Sequence, residues 1–252
     1  MRVQTGDNVG IGGFIVTGSA PKRVIVRSIG PTLAQSGVTN VLADPVLELH
    51  GPSGFTTLTN NNWQDTQEAE IMATGIPPTN NLESAIVVTL DPGSYTAIVR
   101  GNGDTSGIGL VEVYDLNPEA ASRLANLSTR AQVGIQDNIV IAGFLLSNSG
   151  ADRVIVRGIG PSLAPGSFPV SAVLANPTLE LRDHNGTLLA TDNDWQDNPV
   201  QAAEISAAGL APSDTHESAI FAELQPGLYT ALLTGANSGT GIGVVEIYDQ
   251  VP

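Results

Sequence analysis

Cysteine is absent from the chain, which excludes a disulfide framework and any thiolate metal site. Lysine is nearly absent: Lys22 stands alone beside nine arginines, and the formal net charge is −15. So acidic a surface repels phosphate backbones and anionic lipid, so neither nucleic acid nor a membrane face is an expected partner. No apolar run approaches the roughly 20 residues of a spanning helix. No signal peptide is expected in this chain, because Met1 abuts what reads as mid-domain sequence. Aromatic and charged residues are both sparse, at 4% and 14%. The abundant Gly, Thr and Ser that take their place are commoner in extracellular β proteins than in cytosolic enzymes. An extracellular or cell-surface location is therefore expected.

What the sequence does contain is one unit written twice. GFIVTGSAPKRVIVRSIGPTLA (Gly13 to Ala34) returns as GFLLSNSGADRVIVRGIGPSLA (Gly143 to Ala164). LADPVLEL (Leu42 to Leu49) returns as LANPTLEL (Leu174 to Leu181), and ESAIVVTLDPGSYTAIVRG (Glu83 to Gly101) as ESAIFAELQPGLYTALLTG (Glu217 to Gly235). The offset lengthens along the chain, marking small insertions in SFPVSA and around NPVQ, where surface loops should lie. With 252 residues, each copy is large enough to fold alone. Domain 1 is expected over residues 1–117, and 118–252 should hold a linker segment followed by domain 2.

Each copy reads as short strands. In SAIVVTL, Ile86, Val88 and Leu90 fall on one face and Ala85, Val87 and Thr89 on the other. Further alternating runs follow, separated by Gly, Pro and Asn. The prediction is an all-β chain of two tandem homologous Greek-key or jelly-roll-like β-sandwiches. One short helix is expected per copy, in DTQEAEIMATG and DNPVQAAEISAAG, with Asp65 and Asp197 as N-caps and a glycine closing each helix. The L-x-P-G-x-Y spacing of Leu90 to Tyr95 and Leu224 to Tyr229 has the form of a tyrosine corner, with the hydroxyls of Tyr95 and Tyr229 bonding back to backbone.

SRLANLSTRAQVG, DNVGIGGFIVTG, KRVIVRSIGPTLA, LADPVLEL and NNWQD resemble the repeats of large secreted bacterial proteins. The stretch from LADPVLEL to VEVYD is also similar to pre-peptidase C-terminal-type sandwiches, which are non-catalytic extracellular accessory modules. Both resemblances imply a β-rich appendage or assembly module, and neither carries over a catalytic residue.

The duplication tests candidate chemistry internally. His50, His184 and His216 share no motif between copies, which disfavours a histidine metal site or catalytic triad. Repeated carboxylates include Glu83/Glu217 and Glu112/Glu246, but two identical glycosidase clefts in small sandwiches are not expected. No catalytic residue is therefore assigned, and the chain is not expected to be an enzyme. Arg23 and Arg27, repeated as Arg153 and Arg157, share a strand face and suit ion pairs with Glu112 and Glu246, within the sheets or at an interface. No cofactor is required. Calcium is the one ion the pattern would admit, through Asp192, Asp194 and Asp197 in TDNDWQD, with Asn60, Asn62 and Asp65 a weaker set in TNNNWQD. The competing reading makes the heptad an Asx-rich turn with Trp63 or Trp195 plugging a sandwich end and its last aspartate capping the helix. Exposed tryptophans would instead stack on a glycan. NLS at Asn126 and NGT at Asn185 match glycosylation sequons.

Domain 2 is preceded by ASRLANL, whereas domain 1 opens at MRVQTG without a counterpart. If that segment packs into the second sandwich, the first has an exposed edge, and an open edge invites a neighbour. The expected function is a non-catalytic structural subunit that binds copies of itself head to tail. The alternative is a calcium- or carbohydrate-binding accessory module.

Overall fold

The computed structural model describes residues 1–147, 150–164 and 170–250; part of the SFPVSA insertion lies outside them. Two compact units divide the chain, Met1–Leu127 and Ser128–Pro252. Unit 1 holds β1 (Arg2–Val3), β2 (Gly10–Gly18), β3 (Lys22–Ile29), β4 (Pro45–His50), β5 (Leu58–Asn60), helix α1 (Glu68–Ala73), β6 (Ser84–Leu90), β7 (Gly93–Gly101), β8 (Gly107–Ile108) and β9 (Leu110–Asp115). Next comes β10 (Ser122–Val133), which crosses the boundary. Unit 2 continues with β11 (Val140–Leu146), β12 (Asp152–Ile159), β13 (Pro177–Asp183), β14 (Leu188–Asp192), α2 (Pro199–Ala207), β15 (Ser218–Leu224), β16 (Gly227–Gly235) and β17 (Gly241–Asp249). The chain is all-β and sandwich-like, as its alternating runs predict.

In unit 1, β6, β3 and β9 form one antiparallel sheet, and β2, β7, β4 and β5 form the second. Unit 2 repeats this with β15, β12 and β17 in one sheet and β11, β16, β13 and β14 in the other. Inward residues follow the period of two. Phe14, Val16, Val24, Val26, Leu47, Leu49, Ile86, Leu90, Tyr95, Ala97 and Val99 meet in one buried cluster between the sheets of unit 1. The opposite face of β3 and β6 is apolar too: Ile25, Ala85 and Val87 pack against Trp63 and against Ile71 of α1. Unit 2 mirrors this with Ile155, Ala219, Trp195 and Ile205 of α2. The SAIVVTL strand thus reads apolar on both faces because one face meets a sheet and the other a helix.

The helices start later than expected. Asn198, not Asp197, caps α2, its Oδ1 accepting from the amides of Val200 and Gln201, because Pro199 occupies the first helical position. Helix α1 begins at Glu68 and has no side-chain cap at Gln67. That glutamine instead bridges to the β6 backbone, donating Nε2 to the Val87 carbonyl and accepting the Val87 amide. Each helix ends as predicted, on Gly75 and Gly209 with φ of 76° and 71°, a conformation that only glycine adopts freely.

The boundary between the units also differs from the expected break after residue 117. The segment after β9 stays with unit 1. Buried Lys22 donates to Asp115 at 2.8 Å and to the Asn117 carbonyl, and Asn117 accepts the Arg23 amide. The Ser19 amide then bonds the Ala121 carbonyl at 2.9 Å. A Cβ on Gly18 would lie 2.3 Å from that carbonyl oxygen, so glycine permits the approach. From there β10 pairs β2. Because its start lies beside the end of β2, it must run back along β2 antiparallel. Leu124 packs against the unit 1 core. The ASRLANL segment therefore completes the first sandwich, not the second. The part of β10 from Ser128 onward belongs to unit 2, where the strand pairs β17.

Candidate functional site

The duplicated heptad closes on itself. Asn60 accepts the Ala85 amide at 3.0 Å through Oδ1 and donates Nδ2 to the Asn62 carbonyl; Asp192 accepts the matching Ala219 amide at 2.8 Å. The amides of Trp63 and Trp195 bond the carbonyls of Glu83 and Glu217, both at 2.9 Å. The amides of Asp65 and Asp197 bond the carbonyls of Asn62 and Asp194. Asp65 also accepts from the Asn62 side chain, and Asp194 from that of Asn193. Asn60 and Asp192 thus serve the first residues of β6 and β15, while Oδ1 of Asn62 and of Asp194 are buried without a hydrogen-bond partner. Among the described residues no group of three or more His, Cys, Asp or Glu side chains is arranged to hold a metal. Trp63 and Trp195 are 5% and 8% exposed and present no face to a sugar ring.

Asp192 is the strained member of the turn. Burial pushes its carboxyl above the ordinary aspartate value of 3.8; the Ala219 amide opposes this, and nearby Asp197 and Asp194 add to it. A carboxyl raised in the folded state costs stability once ionised. That cost is absent below 3.8 and complete above the folded-state value. Asp192→Asn, which installs the residue that unit 1 uses, is expected to stabilise unit 2 at neutral pH by about 1 kcal/mol, one net hydrogen bond's worth. The gain should vanish in acid. Urea midpoints measured at neutral pH and below 3.8 check this, and an equal gain at both would contradict it.

The repeated charged residues are engaged within their own units. Arg27 donates Nε to Glu112 at 2.9 Å and Nη1 to the Ile76 carbonyl, with its guanidinium 5.0 Å from the Tyr114 ring centroid. Arg157 does the same with Glu246 at 2.8 Å, the Leu210 carbonyl and the Tyr248 ring. Register explains the pairing, since Arg27 lies opposite Glu112 and Arg157 opposite Glu246. Burial pushes the hydroxyls of Tyr114 and Tyr248 up, with the neighbouring carboxylate adding to it. Arg23 and Arg153 reach Glu70 and Glu204 on the helices. The Tyr95 and Tyr229 hydroxyls donate to the carbonyls of Asp91 and Gln225, both at 2.8 Å.

Two features escape sequence reasoning. Glu83 and Glu217 are fully buried. Glu83 Oε1 accepts the amides of Gly30 and Thr32, and Glu217 Oε1 those of Gly160 and Ser162 together with the Ser162 hydroxyl. Their signal was the identical E-S-A-I in both copies, which does not by itself say that the carboxylate points inward. The second feature is a pair of unlike strand edges. In unit 1, β10 covers β2, while in unit 2 the matching strand β11 has β16 on one side and, among the described residues, no strand on the other. In unit 2, β10 covers β17; the matching run of unit 1 is β8 and β9, of which β8 pairs β1 and β9 ends its sheet among the described residues.

Side-chain exposure follows the edges. Ile11 and Ile15 on β2 are half-buried, whereas their counterparts Ile141 and Leu145 are 48% and 64% exposed. Inward-facing Phe14 is buried at 2%, but Phe144 is only half-buried. Leu110 and Tyr114 on β9 are exposed. The arrangement offers backbone donors and acceptors beside an incompletely covered apolar core, which is the chemistry of strand addition.

No helix among the described residues is long and apolar enough to cross a membrane. No family model matches the chain, and no curated protein does. Among solved structures the chain is similar to a protein of the PBCV-1 virus capsid, in a quasi-atomic model, at 8% identity and a TM-score of 0.23, over 99% of this chain and 91% of the other. So low a score carries no argument about function.

Proposed function

We propose that the chain is a non-catalytic structural protein whose units join end to end through strand edges, as a subunit of a head-to-tail filament or surface appendage. One observation carries the reading: strand edges covered in one unit are left, wholly or in part, at sheet ends in the other. β10 covers β2 and β17, whereas among the described residues β11 ends its sheet and, beyond the β1–β8 pairing, so does β9. The two open edges belong to different sheets and different units. A contact between them is heterologous, so it does not close on itself and generates fibres. The acidic, cysteine-free composition and the resemblance to secreted bacterial repeats support an extracellular or cell-surface setting.

Electron micrographs and light scattering of the purified chain over a range of concentrations test this. Linear particles whose length grows with concentration are expected. A monodisperse monomer throughout would refute it.

A further inference from the structure

We infer that the Asn185 carboxamide, at the tip of the hairpin between β13 and β14, is the acceptor of an N-linked glycan in the native chain. The inference rests on the extracellular or cell-surface setting proposed above and names a covalent modification of unit 2 there. Asn-X-Ser/Thr, with X other than proline, is the acceptor motif. The chain carries it twice, as Asn126-Leu127-Ser128 and Asn185-Gly186-Thr187, while Asn176-Pro177-Thr178 is excluded by its proline.

The fold separates the two. Asn126 is half-buried within β10, in the segment that completes the first sandwich. A transferase would reach it only by stripping that strand from β2. His184, Asn185, Gly186 and Thr187 are all exposed, in the kind of surface loop that carries bulky modifications.

The hairpin itself does not require asparagine at this position. Its backbone bonds run from the Asp183 amide to the Thr187 carbonyl at 3.1 Å and from the Gly186 amide to the Asp183 carbonyl at 2.9 Å. Asp183 Oδ1 accepts the amides of Asn185 and Thr187 at 2.9 and 2.8 Å. None of these bonds needs the Asn185 carboxamide. Gly186 takes the left-handed conformation, with φ of 79°, and Asn185 does not, so a common reason for asparagine in a turn is absent. Unit 1 builds the corresponding hairpin through residues 51–57 with no asparagine at all.

Asp183 supplies a second recognition element. The amides of Thr187 and Asn185 hold its carboxyl below the ordinary 3.8, so an anion stands two residues before the acceptor. That flank suits a cationic side chain of the transferase; before Asn126 the same place is taken by Leu124. In the transfer, Asn185 Nδ2 bonds to the anomeric carbon of a sugar carried on a polyprenyl diphosphate. The bond from that carbon to the diphosphate oxygen breaks, the diphosphate leaves with the electron pair, and Nδ2 gives up one proton.

The test is peptide mass spectrometry of the native chain, taken separately from cell-surface and intracellular fractions. A glycan is expected on the peptide that contains Asn185 and none on the one that contains Asn126. Asn185→Gln and Thr187→Ala, expressed in the same host, should each abolish it. Asp183→Asn keeps the Oδ1 acceptor that shapes the loop and should lower occupancy through loss of the charge alone. A bare Asn185 on chain recovered from the surface, a glycan on Asn126 instead, or modification that survives Thr187→Ala would each overturn the inference and leave the extracellular reading intact. Chain found only inside the cell, with Asn185 bare, would overturn both. A glycosylated chain that never forms filaments would leave the inference standing and remove the end-to-end reading.

Discussion

Lysine at both Ile141 and Leu145 is expected to abolish end-to-end assembly while leaving unit 2 folded. The two positions alternate with core-facing Val140, Ala142 and Leu146 along β11, so in the isolated chain the new side chains meet solvent and cost little. Surface substitutions of this kind stay within about 0.5 kcal/mol. Once a neighbouring strand covers the edge, both positions become half-buried, as Ile11 and Ile15 are on β2. Two ammonium groups must then be desolvated beside an apolar strand, which is how natural edge strands resist pairing. Lysine also lowers the magnitude of the net charge of −15, so a loss of assembly could not come from added self-repulsion. Val200→Lys, on the exposed side of α2, is the control and should leave assembly intact. Light scattering with unfolding midpoints reads the outcome. Unchanged particle lengths in the double variant would remove β11 from the junction.

The parts of this architecture legible in the sequence are those fixed by neighbours along the chain. The strand faces of SAIVVTL follow from alternation, and Gly75 and Gly209 from the left-handed turn that ends a helix. The Tyr95 bond spans only to Asp91, within reach of a local motif. What was misread depends on distant partners. An alternating segment such as Ser122–Leu127 satisfies its pattern on either sandwich, and only the approach of Gly18 and the anchor of Lys22 on Asp115 and Asn117 decide for unit 1. That anchor leaves no repeated signal, because the position of Lys22 is Asp152 in the second copy. The heptad illustrates the same limit: Asn60 and Asp192 take the amides of Ala85 and Ala219, residues the spacing alone could not bring near. The helix cap, by contrast, was readable, since a proline at the first helical position makes the preceding Asn198 the cap.

Glu83→Ala and Glu217→Ala are expected to cost about 3–5 kcal/mol each, in the range of breaking a buried charged interaction. Each carboxylate holds a turn in place: the backbone at Gly30 and Gly160 passes so close to the carbonyls of Leu42 and Leu174 that a Cβ would lie 2.1 and 2.0 Å from them. Alanine would leave the amides of Gly30 and Thr32, or of Gly160 and Ser162, without an acceptor in a water-poor site. Glutamine behaves differently. Its carbonyl oxygen can replace the accepting Oε1, and its amide nitrogen takes the place of Oε2, which has no hydrogen-bond partner in either unit. The two N–H groups of that nitrogen would be buried without an acceptor, at about 1–3 kcal/mol, so Glu83→Gln and Glu217→Gln should cost less than alanine. Denaturant midpoints for the four variants separate the cases. If glutamine cost as much as alanine, the negative charge itself would hold these turns. If alanine cost nothing, the buried carboxylates would not be what fixes the loops that carry the chain from β3 to β4 and from β12 to β13.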